Sequence, residues 1–222
     1  INPYLPGALY MSSMTLDDIN TAHLLLQKIE EVDQTALPLR DKIKIEFAKL
    51  NCFHKEKKYK NASDAMQKAN ELKLLYMPSN AAELIKRIQA ISNTLTANEI
   101  PTSGQRCDQI FIVGVPRSGS TLLSAILNTN PLIKDLGESR ALQNALIAHS
   151  SQGTISKRTS LEHFYTDCID EAIPQGSITV DKQLYNFMYC HYVVNQMPSA
   201  KIIHATRNPL DNILSMLRAN LM

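Results

Sequence analysis

The chain has 222 residues, an apolar fraction of 44% and a formal charge of +2, which suits one substantial core or two small ones and excludes a disordered chain. A charge this balanced also excludes a general nucleic-acid binder, so any polyanion site must come from local placement of Arg and Lys. The longest apolar run, Ile110 to Val113 with Val115 beyond Gly114, is far too short to span a membrane.

Ile1-Asn2-Pro3-Tyr4 lacks a basic region followed by an apolar one and does not read as a signal peptide. Cys52, Cys107, Cys168 and Cys190 are scattered with no C-x-x-C pair. Neither a zinc set nor a disulfide framework is expected, and a reducing, cytoplasmic setting is the default. With no initiator Met, and with Met222 closing a helical pattern, the sequence is expected to be part of a longer polypeptide.

Residues Ile1 to Met14 carry Pro3, Pro6 and Gly7 without a clean period and read as a loose lead-in. A helix is expected after Thr15 as N-cap, with Ile19, Ala22, Leu26, Ile29 and Val32 on one face, until Pro38 interrupts it. Next come a stripe of Ile43, Phe47, Leu50 and Phe53, a turn at Lys57-Lys58-Tyr59-Lys60-Asn61, and a second stripe of Ala62, Met66, Ala69 and Leu72. This pair resembles one degenerate tetratricopeptide repeat, with Phe53, Tyr59, Ala62 and Ala69 near its large and small positions. Leu50 replaces the usual Gly there, and Leu74 the common Pro. A plain antiparallel helical hairpin explains the pattern equally well.

The cluster Lys55, Lys57, Lys58 and Lys60 is interrupted by Glu56 and reads as a solvated turn. Another helix is expected from Ser79 to about Leu95, followed by a polar linker with Pro101 and Gly104. Residues 1–95 thus form a helical segment, 96–108 a linker and 109–222 a second domain. In that domain strands and helices alternate: Ile110–Val113, a helix to Leu127, helices near Arg140–His149 and Ser160–Ile173, a strand Ser177–Val180, a helix near Asn186–Gln196, a strand Lys201–His204 and a helix from Pro209. The pattern argues an α/β fold, a parallel sheet flanked by helices with its ligand site at the carboxyl ends of the strands.

Gly114-Val115-Pro116-Arg117-Ser118-Gly119-Ser120-Thr121 has the strand, tight loop and helix frame of a phosphate-cradling P-loop, in which backbone N–H groups and a helix N-terminus converge on an anion. Ser120 stands where a nucleoside triphosphatase has Lys, which argues against a standard ATP or GTP site; Arg117 supplies the cation. Two further clusters follow predicted strands, Val180-Asp181-Lys182 and Ala205-Thr206-Arg207-Asn208-Pro209, and Gly137-Glu138-Ser139-Arg140 precedes a predicted helix.

The segment VGVPRSGSTLL resembles the 5′-phosphosulfate loop of the sulfotransferases, which use 3′-phosphoadenosine 5′-phosphosulfate as sulfonate donor, and is closest to the tyrosylprotein type. The resemblance spans about Gln109 to Met222. It implies that Arg117, Ser118, Gly119, Ser120 and Thr121 hold the 5′-phosphosulfate, and that Arg207 and Ser215, in a segment like R-[DN]-P-x-D-x-x-x-S, hold the 3′-phosphate. Glu138, in a G-E-[ES/T]-R-like segment, is implied as the general base for an acceptor hydroxyl, a role worth about 100- to 10,000-fold. Lys182, in a D-K-x-P-x-N-like segment with Leu184 at the Pro position, is implied to stabilise the leaving group. Asn208 replaces the commoner Asp. The acceptor that it implies is a hydroxyl on a peptide, carbohydrate or small molecule, and the helical segment is expected to bind a partner or to shape acceptor access.

The family's domain continues past the 3′-phosphate segment, so its C-terminal part is expected to be missing here. Two rival readings stand beside this one. The first is a P-loop kinase or nucleoside triphosphatase with an atypical loop and Asp181 as magnesium ligand; the second is a helical interaction protein with an incomplete, inactive nucleotide-binding domain. The six histidines form no H-x-x-x-H or H-E-x-x-H pattern, and no metal set is expected.

Overall fold

A computed structural model of the chain describes residues 5–93, 108–151, 160–169 and 172–221. The expected linker residues 96–107 and the residues around 170 at the end of the Ser160–Ile173 helix lie outside them. The chain divides into two compact units, Ile1–Leu84 with Ile213–Met222, and Ile85–Asn212.

The first unit is helical. Helix α1 (Pro6–Ser13) occupies what reads in sequence as a loose lead-in, because Pro6 sits at its first turn, where a missing N–H costs nothing. Helix α2 (Ile19–Glu30) starts at Asp18 and not after Thr15. Asp18 accepts the Thr21 N–H at 2.8 Å, and the Thr21 hydroxyl oxygen accepts the Asp18 N–H at 3.2 Å, a reciprocal cap. Helix α3 (Leu39–Lys55) is buried on two sides. Ile45, Ala48 and Cys52 pack with Leu9, Leu25, Leu26 and Ile29, while Ile43, Phe47 and Leu50 pack with Ala62, Ala65 and Ala69 of helix α4 (Tyr59–Tyr76).

Helices α3 and α4 pack through small residues on α4. The expected turn between them is a tight one: Lys58 N–H donates to Phe53 O at 2.9 Å and Lys57 N–H to His54 O at 3.0 Å, with Lys57 at φ +61°. Tyr59, expected at a packing position of a repeat, is 61% exposed, its ring 5.8 Å from that of His54 at a tilt of 59°. Helix α5 (Ala81–Asn93) follows.

The second unit holds a four-stranded sheet. Strands β1 (Gln109–Gly114), β2 (Ile133–Asp135), β3 (Ile178–Asp181) and β4 (Ala200–Ala205) lie in the order β2-β3-β1-β4, and all pairs are parallel. β1 is central and almost wholly buried, which is why it reads as a continuous apolar run. Phe111 and Val113 on one of its faces pack with Ala141, Leu142 and Ala145 of helix α7 (Ala141–Ser151), Leu161 and Tyr165 of α8 (Leu161–Asp167), and Val193 of α9 (Cys190–Gln196). A 3₁₀ helix, Leu184–Tyr189, leads into α9. Helix α6 (Ser120–Leu127) follows β1, and α10 (Pro209–Leu217) follows β4. Strand β2 has no counterpart in the sequence reading; with three residues it is too short for alternation to show.

Candidate active site

All four strands run the same way, so their carboxyl ends share one edge of the sheet, and each end leads into one of the segments singled out by chemistry. At the end of β1 the chain turns through Gly114 (φ +148°), where a Cβ would lie 2.5 Å from the Ala205 carbonyl oxygen of β4; only glycine fits. The loop then places Arg117 at φ +67° and Gly119 at φ +93°. Left-handed residues here turn successive N–H groups towards a common side. Gly119 is the N-cap of α6 and makes no side-chain cap, so the first-turn N–H groups of that helix are left to the loop.

Ser120 is buried, and Arg117 and Thr121 are exposed. The Ser118 hydroxyl oxygen is buried with no hydrogen-bond partner, 3.6 Å from the position of a Gly114 Cβ. A buried hydroxyl without a partner costs free energy, on the order of 1–3 kcal/mol. A loop of N–H donors around an orphaned hydroxyl and an exposed guanidinium fits an anionic phosphate or sulfonate group.

Strand β4 brings Arg207 to this loop. Its Nη1 donates to the Arg117 carbonyl at 3.4 Å, and Asn212 Nδ2 donates to the Pro116 carbonyl at 2.9 Å. Asn208 caps α10 by accepting the Leu210 N–H at 3.0 Å and the Asp211 N–H at 3.3 Å, so an Asn serves at the position where Asp is commoner. The two arginine-bearing segments are therefore neighbours, although 90 residues separate Arg117 from Arg207. Ser215 lies three residues past Asn212 on α10, in the part of that helix that belongs to the first unit.

On the other side of β1, strands β3 and β2 bring Lys182 and Glu138 together, with Lys182 Nζ 2.9 Å from Glu138 Oε1. The two differ in exposure: the Lys182 side chain is 11% exposed and that of Glu138 66%. Their backbones are held by an extension of the β2–β3 ladder, with Leu136 N–H on Val180 O and Lys182 N–H on Gly137 O, both 2.8 Å. Gly137 takes φ +63° to make the turn before Glu138. Arg140 is exposed at the start of α7.

Asp181, the carboxylate that a nucleoside triphosphatase would direct at magnesium, is fully buried. It accepts the Gln183 N–H at 2.9 Å and the Tyr165 hydroxyl at 3.4 Å. Burial pushes its pKa up from 3.8 to about 6, against the pull of those hydrogen bonds. Burial likewise pushes the Tyr165 phenol well above its ordinary value.

Sequence reasoning had no sign of two other groups, Ser124 and Asp135. Ser124 Oγ of α6 donates to Asp135 Oδ2 at 2.6 Å, and Asp135 Oδ1 accepts the Gly137 N–H at 2.8 Å. The second unit also has a cleft of about 390 Å³, walled by Gln143, Ile147 and Ser150 of α7, by Tyr189 and Tyr192, and by Arg87. In the chain, α7 follows Glu138, and Tyr189 and Tyr192 follow Lys182.

The chain is a mixed α/β protein whose second unit is built on a four-stranded parallel sheet, with its polar segments gathered at the carboxyl edge, where such sheets hold ligands. A family model described as Sulfotransferase family matches residues 109–162, from β1 into the first turn of α8. The match covers the Gly114–Thr121 loop and Glu138 and points to sulfonate transfer as the general chemistry. An uncharacterized protein of Aquifex aeolicus (strain VF5) is 25% identical over 232 aligned positions, covering 95% of this chain. The chain spans 30% of that relative's length. No solved structure matches the chain. No helix among the described residues is long and apolar enough to cross a membrane.

Proposed function

We propose that this chain carries the donor-binding and catalytic elements of a sulfotransferase that moves a sulfonate group from 3′-phosphoadenosine 5′-phosphosulfate to an acceptor hydroxyl. The observation that carries the reading is the Glu138–Lys182 pair, 2.9 Å apart, with Lys182 at the end of β3, the neighbour of the strand that bears the Gly114 loop, and Glu138 past the end of β2 beyond it. A carboxylate and an ammonium are the two groups the reaction needs: one takes the acceptor's proton, the other meets charge on the oxygen that leaves.

The donor supplies an activated sulfur bonded to a phosphate oxygen. N–H groups of the Arg117–Thr121 loop and the Ser118 hydroxyl hold its 5′ end, and Arg207, beside that loop, takes the 3′-phosphate through its guanidinium fork. Ser215 is assigned to the 3′-phosphate only by the resemblance. Glu138 accepts the hydroxyl proton as the acceptor oxygen bonds to sulfur; the bond from sulfur to the phosphate oxygen breaks, and Lys182 stabilises the charge left there. In the free protein the two side chains neutralise each other. Donor binding gives Lys182 a second anionic partner and leaves the exposed Glu138 carboxylate available to the acceptor.

The acceptor approaches along the cleft between α7 and the Tyr189–Tyr192 wall, where aromatic faces and Gln143, Ser150 and Arg87 suit a polar, hydroxyl-bearing molecule. The helical unit is assigned to acceptor or partner contacts. Calorimetry tests the donor assignment directly. Adenosine 3′,5′-bisphosphate is expected to bind more tightly than ATP with Mg²⁺, and the reverse order would overturn the reading. Glu138→Gln and Lys182→Met are each expected to lower sulfonate transfer at least about 100-fold; full activity in either removes its assigned role.

A further inference from the structure

The proposed chemistry needs two parts of the site in a fixed relation. The phosphate loop positions the sulfur, and the Glu138–Lys182 pair must meet it within a fraction of an ångström. Strand β3 lies between β2 and β1, so the Glu138 turn at the end of β2 has no ladder bond to the strand that bears the loop. The tie between them runs instead through a side chain. Asp135, the last residue of β2, uses one carboxylate oxygen for the Ser124 hydroxyl at 2.6 Å and the other for the Gly137 N–H at 2.8 Å. Ser124 is 1% exposed and stands one helical turn after Ser120, so it moves with the helix that ends the phosphate loop.

From Gly137 the connection continues without a break. The Gly137 carbonyl accepts the Lys182 N–H at 2.8 Å, and the Lys182 ammonium meets Glu138. We infer that Asp135 is a positioning residue that couples the phosphate-loop helix to the Glu138–Lys182 pair. This deepens the sulfotransferase reading and rests on it.

A carboxylate suits the place. It accepts two hydrogen bonds in divergent directions, and the O–H···O⁻ bond to Ser124 is of the short, charge-assisted kind. Asp181 closes the same kind of turn at the end of β3 by accepting the Gln183 N–H at 2.9 Å. Asp135 differs in reaching α6, the helix at the end of the loop, where Asp181 reaches Tyr165 of α8. Both of its oxygens are engaged within the protein, so its effect on the reaction passes through Gly137 and Lys182.

The test uses the full-length protein and three variants, Ser124→Ala, Asp135→Ala and Asp135→Asn. Turnover is read with water as acceptor, as sulfate released from the phosphosulfate donor, and donor-site affinity by calorimetry with adenosine 3′,5′-bisphosphate. The ion pair is read from the ¹³C shift of the Glu138 carboxyl at pH 7, with Lys182→Met marking the open pair. Asp135→Ala is expected to hold the Kd within about threefold, to lower turnover on the order of 10- to 100-fold, and to move the Glu138 resonance towards its Lys182→Met position. Ser124→Ala, which cuts only the tie to α6, is expected to lower turnover about threefold to tenfold. Asp135→Asn keeps an acceptor for Gly137 and is expected to recover most of the rate.

Unchanged turnover and an unmoved resonance in both alanine variants would overturn the inference. So would a parallel loss of affinity and turnover, the pattern of a residue that only supports folding. If the wild-type protein fails to bind adenosine 3′,5′-bisphosphate, the sulfotransferase reading falls. The Glu138 resonance still reports in that case whether Asp135 holds the pair.

Discussion

Asp181 gives the second unit a pH dependence opposite to that of most carboxylates. Its side chain is fully buried and its pKa is pushed from 3.8 to about 6. Between these values the folded protein holds a proton that the unfolded chain has released, so the unfolded state binds fewer protons and stability falls as pH rises. The contribution is fully present below pH 3.8 and is lost as pH passes through about 6. A rise of about two pK units at 1.36 kcal/mol each gives a loss on the order of 3 kcal/mol.

Asp181→Asn removes the titration but keeps an oxygen for the Gln183 N–H, and Tyr165 can accept from the new amide. Urea denaturation followed by circular dichroism between pH 4 and 8 separates the two proteins. The wild type is expected to weaken towards neutral pH relative to the variant, which becomes the more stable of the two above pH 6. Parallel curves across the whole range would refute the reasoning, because they would mean that the buried carboxyl ionises as easily folded as unfolded.

Three other expectations follow from local geometry. Gly114→Ala places a methyl group 2.5 Å from the Ala205 carbonyl at φ +148°, against an ordinary contact of 3.4 Å or more. It should cost about 2–5 kcal/mol in urea denaturation and weaken adenosine 3′,5′-bisphosphate binding, since the displaced strand end carries Arg207; wild-type values of both would contradict it. Lys57→Gly relieves a left-handed lysine at φ +61° in the α3–α4 turn and should stabilise the helical unit by about 1 kcal/mol, seen as a higher thermal midpoint. Arg207→Ala should weaken adenosine 3′,5′-bisphosphate by about 10- to 150-fold while leaving adenosine 5′-monophosphate, which lacks the 3′-phosphate, nearly unchanged. Equal losses for the two ligands would place Arg207 elsewhere than at the 3′ end.

What the sequence discloses about this site depends on how local the signal is. The loop from Gly114 to Thr121 is legible because its backbone is dictated by neighbours in the chain: a glycine that must approach β4, a glycine that caps α6, and an apolar strand before them. Helix α1 is misread for a similarly local reason, since Pro6 breaks a helix in its interior but is at ease in its first turn. The order of the strands has no local signature. Glu138 and Lys182 are singled out one by one, through the resemblance, but 44 residues separate them and nothing local makes them partners; the pairing of β2 with β3 does.

Ser124 and Asp135 are the extreme case, two common polar residues 11 positions apart on different elements, with no period and no motif to join them. The residues that touch the substrate in the proposed reaction sit on turns whose chemistry is written in a few adjacent letters. The residues that hold those turns in register are chosen by three-dimensional neighbourhood. A single chain read in order therefore exposes the first kind and conceals the second, even where both matter to the rate. For that reason the Ser124–Asp135 tie is the sharper test of the architecture: it has no counterpart in any motif, and it stands or falls on the packing of β2 against α6, the helix that follows the Gly114–Gly119 loop.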